Sequence, residues 1–414
     1  MIIQFSCENY KSIKDKNTIS FLASKSDNEH EDILRYINKY EISLNPVVSV
    51  YGANGAGKTN LLDSIGYMSF LVRNSEKTQL GDKIPFFPHK LSDKNTPSSF
   101  QIQFIIDEIR YAYGFSLNAD EILSEYLYYF PNGRQAMIFE RDVQEYNFGS
   151  SFRKILNEFY NSYETLQNRL FLSTAAQWVK IKEIKDVFIF LKENIIFNKK
   201  IDNTDWLDYT INMINQDDKF KKKMINLLNS IGAYVKDIDA TIESRTFKVE
   251  ELPEEMPNEF KLLLANSKAS RPVVKLDYGN MIVDLNQESR GIKKIFELLG
   301  HMLNCLEEGK VFVYDELETS LHPLIAIEII KLFMNKDTNN NNSQLLFSTH
   351  DANLLNLDLF RRDQIWFVEK NPTTLSSLTY SLANIKNVRK DENIEKGYIR
   401  GKYGSIPYIQ GRLF

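Results

Sequence analysis

Cysteine is almost missing from this chain of 414 residues: only Cys7 and Cys305 occur, about 300 positions apart and without a Cys-x-x-Cys spacing. That excludes a disulfide scaffold and a thiolate zinc site, and two buried, unreactive thiols are expected. Long apolar runs are missing too, since no stretch approaches the roughly 18 uninterrupted apolar residues of a membrane span. The start, MIIQFSCENYKSIKD, has neither the cationic head nor the apolar core of a signal peptide, so a cytoplasmic protein without a membrane partner is expected. An excess of positive charge is likewise lacking: the formal net charge of −4 argues against coating nucleic acid by bulk charge, although a local basic patch stays open. What is present is an apolar fraction of 43%, enough for a real core, in a chain long enough for two structural units or one domain with a large insertion.

IIQF and TISF, joined by the polar turn NYKSIKDK, read as a pair of short strands, and NPVVSV at 45–50 as a third. From SFQIQFIID at 99 to QAMIFER at 141, alternating apolar and polar residues broken by turns such as PNG predict an antiparallel meander. Helical periodicity follows. In DKFKKKMINLLNSIG, Phe220, Met224, Leu227, Leu228 and Ile231 share one face, with Asp218 as the expected cap and Gly232 as the terminator. Lys219, Lys221, Lys222 and Lys223 on that helix read either as a phosphate-contacting patch or as its solvated face, and the solvated face is the expectation. ELPEEMPNEF at 251–260 marks the exit from the helical section; RPVVKLDYG, MIVDL and KVFVYDE then read as strands. NKDTNNNNSQ at 335–344 is expected to be a solvated loop.

YGANGAGKTN fits G-x-x-x-x-G-K-[ST] as Gly52, Gly57, Lys58 and Thr59, after the strand VVSV and before the helical LLDSIGYMSFLV. Glycines, Gly55 and Gly57 among them, let backbone N–H groups curl around phosphate oxygens. Lys58 supplies a point charge near the outer phosphates and Thr59 a hydroxyl for Mg²⁺, so the loop is expected to hold ATP. Phosphoryl transfer also needs a carboxylate at the end of a second buried strand. VFVYDE provides Asp315 to hold the metal and Glu316 to orient and deprotonate water. QLLFSTHD repeats the design and ends in His350, positioned to hydrogen-bond the γ phosphate or the attacking water.

The order of these parts resembles the ABC-type ATPases, in particular the soluble SMC and RecF-like group. GANGAGKTNLLDSI is similar to their P-loop, including Asn54 and Asn60, and IIQFSCENYKSIKDKNTISF to their amino-terminal hairpin. NQESRGIKKIFELL stands where that family carries its signature helix: Ser289 and Gly291 match the serine and second glycine of LSGGQ, while Arg290 and Ile292 depart from it. The resemblance implies an α/β ABC-ATPase fold with a mixed central sheet, an antiparallel β lobe and a short helical insertion. It also implies a homodimer or higher oligomer sandwiching ATP, with Ser289 reaching the γ phosphate of the partner, and Gln177 as the glutamine between the lobe and its arm.

RYAYGFSLNADEILSEYLYYFPNGRQAMIFERD, DELETSLHP, FSTHDANLL and the tail RKDENIEKGYIRGKYGSIPYI further resemble bacterial AAA15/AAA21-type ATPases of abortive-infection systems, of the AbiLi kind and the PARIS ATPase component. That implies a switch that holds a separate effector, such as a TOPRIM-type nuclease or toxin, and answers a phage protein. The rival expectation is a repair or recombination ATPase binding DNA directly. The expected divisions are an amino-terminal lobe at 1–177, a helical insertion at 178–260 and a carboxyl-terminal lobe at 261–414. In the tail, Tyr398, Arg400, Gly401, Tyr403 and Gly404 read as a docking segment or as a strand completing the sheet edge.

Overall fold

Apolar–polar alternation becomes an antiparallel sheet along the first part of the chain. A computed structural model describes residues 1–197, 206–246, 257, 261, 268–389 and 392–406. By internal contacts the chain divides into two units: Met1–Lys199 with Cys305–Thr319 and Ala326–Phe414, and Lys200–Asn304 with Ser320–Ile325. In the first unit, β1 (Ile2–Glu8) and β2 (Asn17–Ser20) form the expected hairpin. The meander is β6 (Ser98–Ile106), β7 (Ile109–Leu117), β8 (Ile122–Phe130) and β9 (Ala136–Asp142), extended by β10 (Glu145–Phe148). All seven join one sheet in the order β10-β9-β8-β7-β6-β1-β2. A small ribbon, β3 (Arg35–Ile37) with β4 (Ile42–Leu44), lies apart from it.

The second sheet of this unit is mixed, in the order β11-β15-β16-β5-β17-β18. Its central strands β5 (Val47–Tyr51), β15 (Val311–Tyr314) and β16 (Gln344–Ser348) are buried at every residue, which is why their sequences are mostly apolar on both faces. They run parallel, as do β11 (Ile195–Phe197) and β17 (Ile365–Lys370), and only β18 (Ser377–Ser381) is antiparallel. The strands carrying VVSV, VFVY and QLLFS therefore end at the same sheet edge. The α/β class and the pairing of a mixed sheet with an antiparallel lobe are as expected.

Several expectations need correction. Gln177, expected between the lobe and its arm, lies in helix α3 (Phe171–Trp178), after α1 (Lys58–Asn74) and α2 (Arg153–Ser162). The first six residues of α3 are all buried, so it carries no amphipathic stripe to betray it. Helix α4 (Lys182–Glu193) and β11 belong to the first unit, so the division falls near residue 200 instead of 178. Residues 261–304 belong to the second unit, not to a carboxyl-terminal lobe. Nor is the second unit purely helical. Besides α5 (Trp206–Gln216) and α6 (Asp218–Ser230) it holds an antiparallel sheet of β12 (Asp237–Thr246), β13 (Lys268–Asp277) and β14 (Ile282–Asp284). The exit segment at 251–260 lies outside the described residues apart from Pro257.

Helix α6 is capped by Asp217, one residue earlier than expected, through the Lys219 amide, and is stopped by Gly232 in the left-handed region at φ +86°. Lys219, Lys222 and Lys223 are exposed, while Lys221 pairs with Asp237 at 2.7 Å. The asparagine-rich stretch is a loop but not merely a solvated one. Asn339 is buried, donates to the Phe333 and Ser343 carbonyls and accepts from the Ser343 amide. Among the described residues no helix is long and apolar enough to cross a membrane. Both cysteines are buried.

Candidate phosphate-binding site

Strand β5 delivers the chain into the glycine turn, and α1 begins at Lys58. Asn54 and Gly55 form the exposed tip, and a Cβ at Gly55 would meet nothing within 4 Å. Gly57 is different: at φ +110°, a Cβ there would lie 2.1 Å from Ser377 Oγ, so this turn tolerates no side chain. Lys58 is 5% exposed. Its Nζ donates to the carbonyls of Gly52 at 2.8 Å and Ala53 at 3.3 Å, and lies 3.2 Å from His350 Nδ1. Burial pushes the ammonium down to about 8, against the opposing pull of Asp315, Glu316 and Glu318.

Thr59 Oγ1 donates to Asp315 Oδ2 at 2.8 Å. Ser348 Oγ donates to the other carboxylate oxygen and accepts the Glu316 amide at 2.9 Å, so one hydroxyl fixes both acids at the end of β15. The chain then reverses at Glu316, whose φ of +55° is costly for a side chain with a Cβ and is held by neighbours. Thr319 Oγ1 donates to Glu316 Oε2 at 3.3 Å, and His350 Nε2 lies 3.5 Å from Glu316 Oε1. Because an ammonium only donates, Nδ1 of His350 is the acceptor facing Lys58, which leaves Nε2 to face Glu316. The chain thus brings Lys58, Thr59, Asp315, Glu316 and His350 into one contact network.

The donors suit a hard divalent cation: a hydroxyl and a carboxylate in contact, next to a loop shaped for phosphates. Among the described residues no group of three His, Cys, Asp or Glu side chains could hold a metal unaided. Mg²⁺ takes one or two protein oxygens and completes its shell with phosphate and water, and the Thr59 hydroxyl and Asp315 carboxylate are of that kind.

Other residues support this network without being evident from the sequence. Ser377 Oγ, on β18, donates to the Ala56 carbonyl at 2.6 Å and lies 2.8 Å from Ser12 Oγ, whose hydroxyl supplies the proton between the two serines. Ser12, in the β1–β2 turn, also accepts from Asn60 Nδ2 at 2.8 Å. One turn further along α1, the buried Asp63 accepts from Tyr10 Oη at 2.9 Å and pairs with Lys11. The phosphate loop is therefore braced from behind by both sheets. Serines are too common to stand out in a sequence, and only the turn geometry at Gly57 could have hinted at a close neighbour.

Gln177 is exposed near the end of α3, and its amide donates to the Ser173 carbonyl at 3.3 Å. Among the described residues no hydrogen bond ties it to the phosphate loop, and it is not at the end of a strand. Ser289 is the amino-terminal cap of α7 (Arg290–Glu308), its Oγ accepting the Ile292 amide at 3.3 Å. Gly291 follows in the first turn, where a Cβ would come within 3.2 Å of the Ser320 carbonyl. Both lie in the second unit. In the tail, Ile394–Ile399 form a short helix where a strand was one of the two expectations. Tyr398 and Tyr403 are buried, with ring centroids 5.6 and 6.0 Å from Phe367 of β17, and residues 407–414 lie outside the described residues.

A family model described as "AAA domain, putative AbiEii toxin, Type IV TA system" matches residues 47–201 and 211–356, more than half of the chain. No curated protein matches the sequence. Among solved structures, an SMC head bound to the C-winged helix domain of ScpA is similar at 14% identity and TM-score 0.44, covering 92% of this chain and 97% of that one. The SMC head domain from Thermotoga maritima is similar at 12% identity and TM-score 0.39, covering 92% and 98%. An SMC head with an extended coiled coil, bound to ScpA from Pyrococcus furiosus, is similar at 12% and 0.37, covering 92% and 96%.

Proposed function

We propose, from the premise that this chain belongs to the AAA_21 family and is an ATP-hydrolysing enzyme, that it is a nucleotide-driven switch which controls a separate effector in a bacterial anti-phage system. The observation carrying the chemistry is the meeting of three distant segments, around residues 58, 315 and 350, at 2.8 to 3.5 Å. On this reading the turn from Gly52 to Gly57, with Asn54 and Gly55 at its tip, cups the phosphates, Lys58 neutralises the outer ones, and Asn60 in the first turn of the helix supports them. Thr59 and Asp315 would hold Mg²⁺, which when bound would supply positive charge to the phosphate oxygens. Glu316 takes the proton of the attacking water, while His350 sits between that base and Lys58 and orients both.

Ser289 and Gly291, at a helix amino terminus, are the groups offered to the γ phosphate of a second copy, so that two ATP molecules bridge a homodimer. The family description, with its toxin and type IV toxin–antitoxin terms, supports a toxin–antitoxin setting; the controlled partner, a nuclease or toxin released on contact with a phage protein, is part of the proposal. The finer likeness to ATPases of the AbiLi kind and the PARIS component belongs to the same reading. Gln177 has no role in it.

The test is Glu316→Gln. The variant should bind ATP with unchanged affinity in calorimetry, lose at least about 100-fold in turnover, and accumulate as an ATP-dependent dimer in light scattering. Turnover equal to that of the natural chain would refute the assignment of the base.

A further inference from the structure

The pairing of β15 and β16 does not stop where the strands do. Tyr314 pairs with Phe347 as the last rung of the ladder. Beyond it, the Glu316 amide donates to Ser348 Oγ at 2.9 Å and the Leu317 amide to the Ser348 carbonyl at 3.1 Å. The chain has by then turned back on itself at Glu316, so no backbone carbonyl is left to meet the next amide, that of His350. Glu318 fills the gap with its side chain: Oε1 accepts the His350 amide at 2.6 Å. Its other oxygen, Oε2, is buried and has no hydrogen-bond partner among the described residues.

We propose that Glu318 is a positioning residue for hydrolysis, acting through His350 by tethering that residue's backbone so that its ring stands between Lys58 and Glu316. This rests on the reading of the site given above. The tether sits at the first amide after the strand and its threonine, where free rotation would swing the imidazole away from both neighbours. A charged acceptor at 2.6 Å makes the short, strong kind of hydrogen bond that fixes a backbone. The unpartnered second oxygen has a cost with no local return. A carboxylate held half-satisfied beside a buried lysine is the sort of exception that marks a working site.

Two variants of the full chain separate the parts of this role. Glu318→Gln keeps an oxygen for the His350 amide and should hold kcat within about threefold, whereas Glu318→Ala removes it and should lower kcat about 100-fold, the effect of roughly 1 Å of misplacement. The KM for ATP should stay within about twofold in both, since Lys58 and Thr59 keep their partners. In a His350→Ala background, Glu318→Ala should add almost nothing, because two residues working as one unit are not additive. A second readout needs no turnover. In NMR spectra the His350 amide proton should stand well downfield in the natural chain, keep part of that shift in Glu318→Gln and lose it in Glu318→Ala. An unshifted amide in the natural chain, or full additivity of the two alanine substitutions, overturns the inference. A natural chain with the downfield amide but no ATP uptake leaves the tether in place and refutes the functional reading instead.

Discussion

Burial acts in opposite directions on the ionisable groups of this fold. It pushes the Lys58 ammonium down to about 8 and the Cys7 thiol up to about 12. For the thiol, neighbouring Ser64 opposes the rise and Glu8 adds to it. Cys305, also buried, is raised for the same first reason. A folded-state value above the unfolded one means that between pH 9 and 12 only the unfolded chain ionises its thiols, so stability should decline with pH across that window. Iodoacetamide at pH 9 should therefore leave both cysteines unmodified in the native protein and label both in denaturant, with mass spectrometry as the readout. Rapid native labelling of Cys7 would contradict its burial within strand β1 of the hairpin. The residues legible from the sequence were those whose type is forced by the chemistry: Lys58, Thr59, Asp315, Glu316 and His350. Ser348, Glu318, Ser12 and Ser377 were not. Their type is common and their role appears only once the chain reversal at Glu316, or the contact behind Gly57, brings them to their partners.

Among the elements, α3 shows where periodicity fails. Six of its eight residues are buried and only Gln177 and Trp178 at its end are exposed, so no polar stripe runs along it to mark a helix in the sequence. What makes it helical is a cap from another element. Glu125 of β8 accepts the amides of Phe171 at 2.6 Å and Leu172 at 2.9 Å, satisfying donors that no helix can satisfy for itself. The same carboxylate accepts from Tyr113 Oη at 2.9 Å and faces Arg141 at 3.8 Å, all out of water. Burial raises its pKa in spite of Arg141 and these donors. Glu125→Ala would strand two amides and remove the counter-charge of the buried Arg141, which keeps its carbonyl partners, and should cost about 3 kcal/mol in denaturant unfolding. Glu125→Gln, which keeps an acceptor, should cost about 1 kcal/mol. Equal losses would mean that the packing of α3, not its cap, carries the stability. The strands β5, β15 and β16 were legible because burial on both faces writes a mostly apolar run. β12 was not: Ile238 and Ala240, both buried, alternate with the exposed Asp237 and Asp239, but two apolar positions are too few to mark a strand after a run of helices.

At the scale of the whole molecule, the two units divide the proposed chemistry between them: the phosphate loop and both acids lie in one, Ser289 and Gly291 in the other. If the site is completed by a second copy, each half can be inactivated separately. Lys58→Met should abolish ATP binding, and Ser289→Arg should leave binding intact while stopping dimerisation and turnover. Mixed in equal amounts, the two variants should recover up to about a quarter of natural turnover, because a mixed dimer retains one complete site of two and forms half the time; this assumes random pairing of copies. No recovery, with each variant folded, would favour a site contained in one chain. The division of the chain was only partly legible. Its boundary falls within a run of helices, where no change of period marks it, and β11 returns to the mixed sheet after α4.

The serine pair behind the phosphate loop has a mechanical meaning. Strand β18 holds the Ala56 carbonyl through Ser377, and three residues later Tyr380 Oη reaches the Tyr403 carbonyl at 2.7 Å. One short strand thus links the segment around Tyr403 to the back of the glycine turn, so a displacement at either end would be felt at the other.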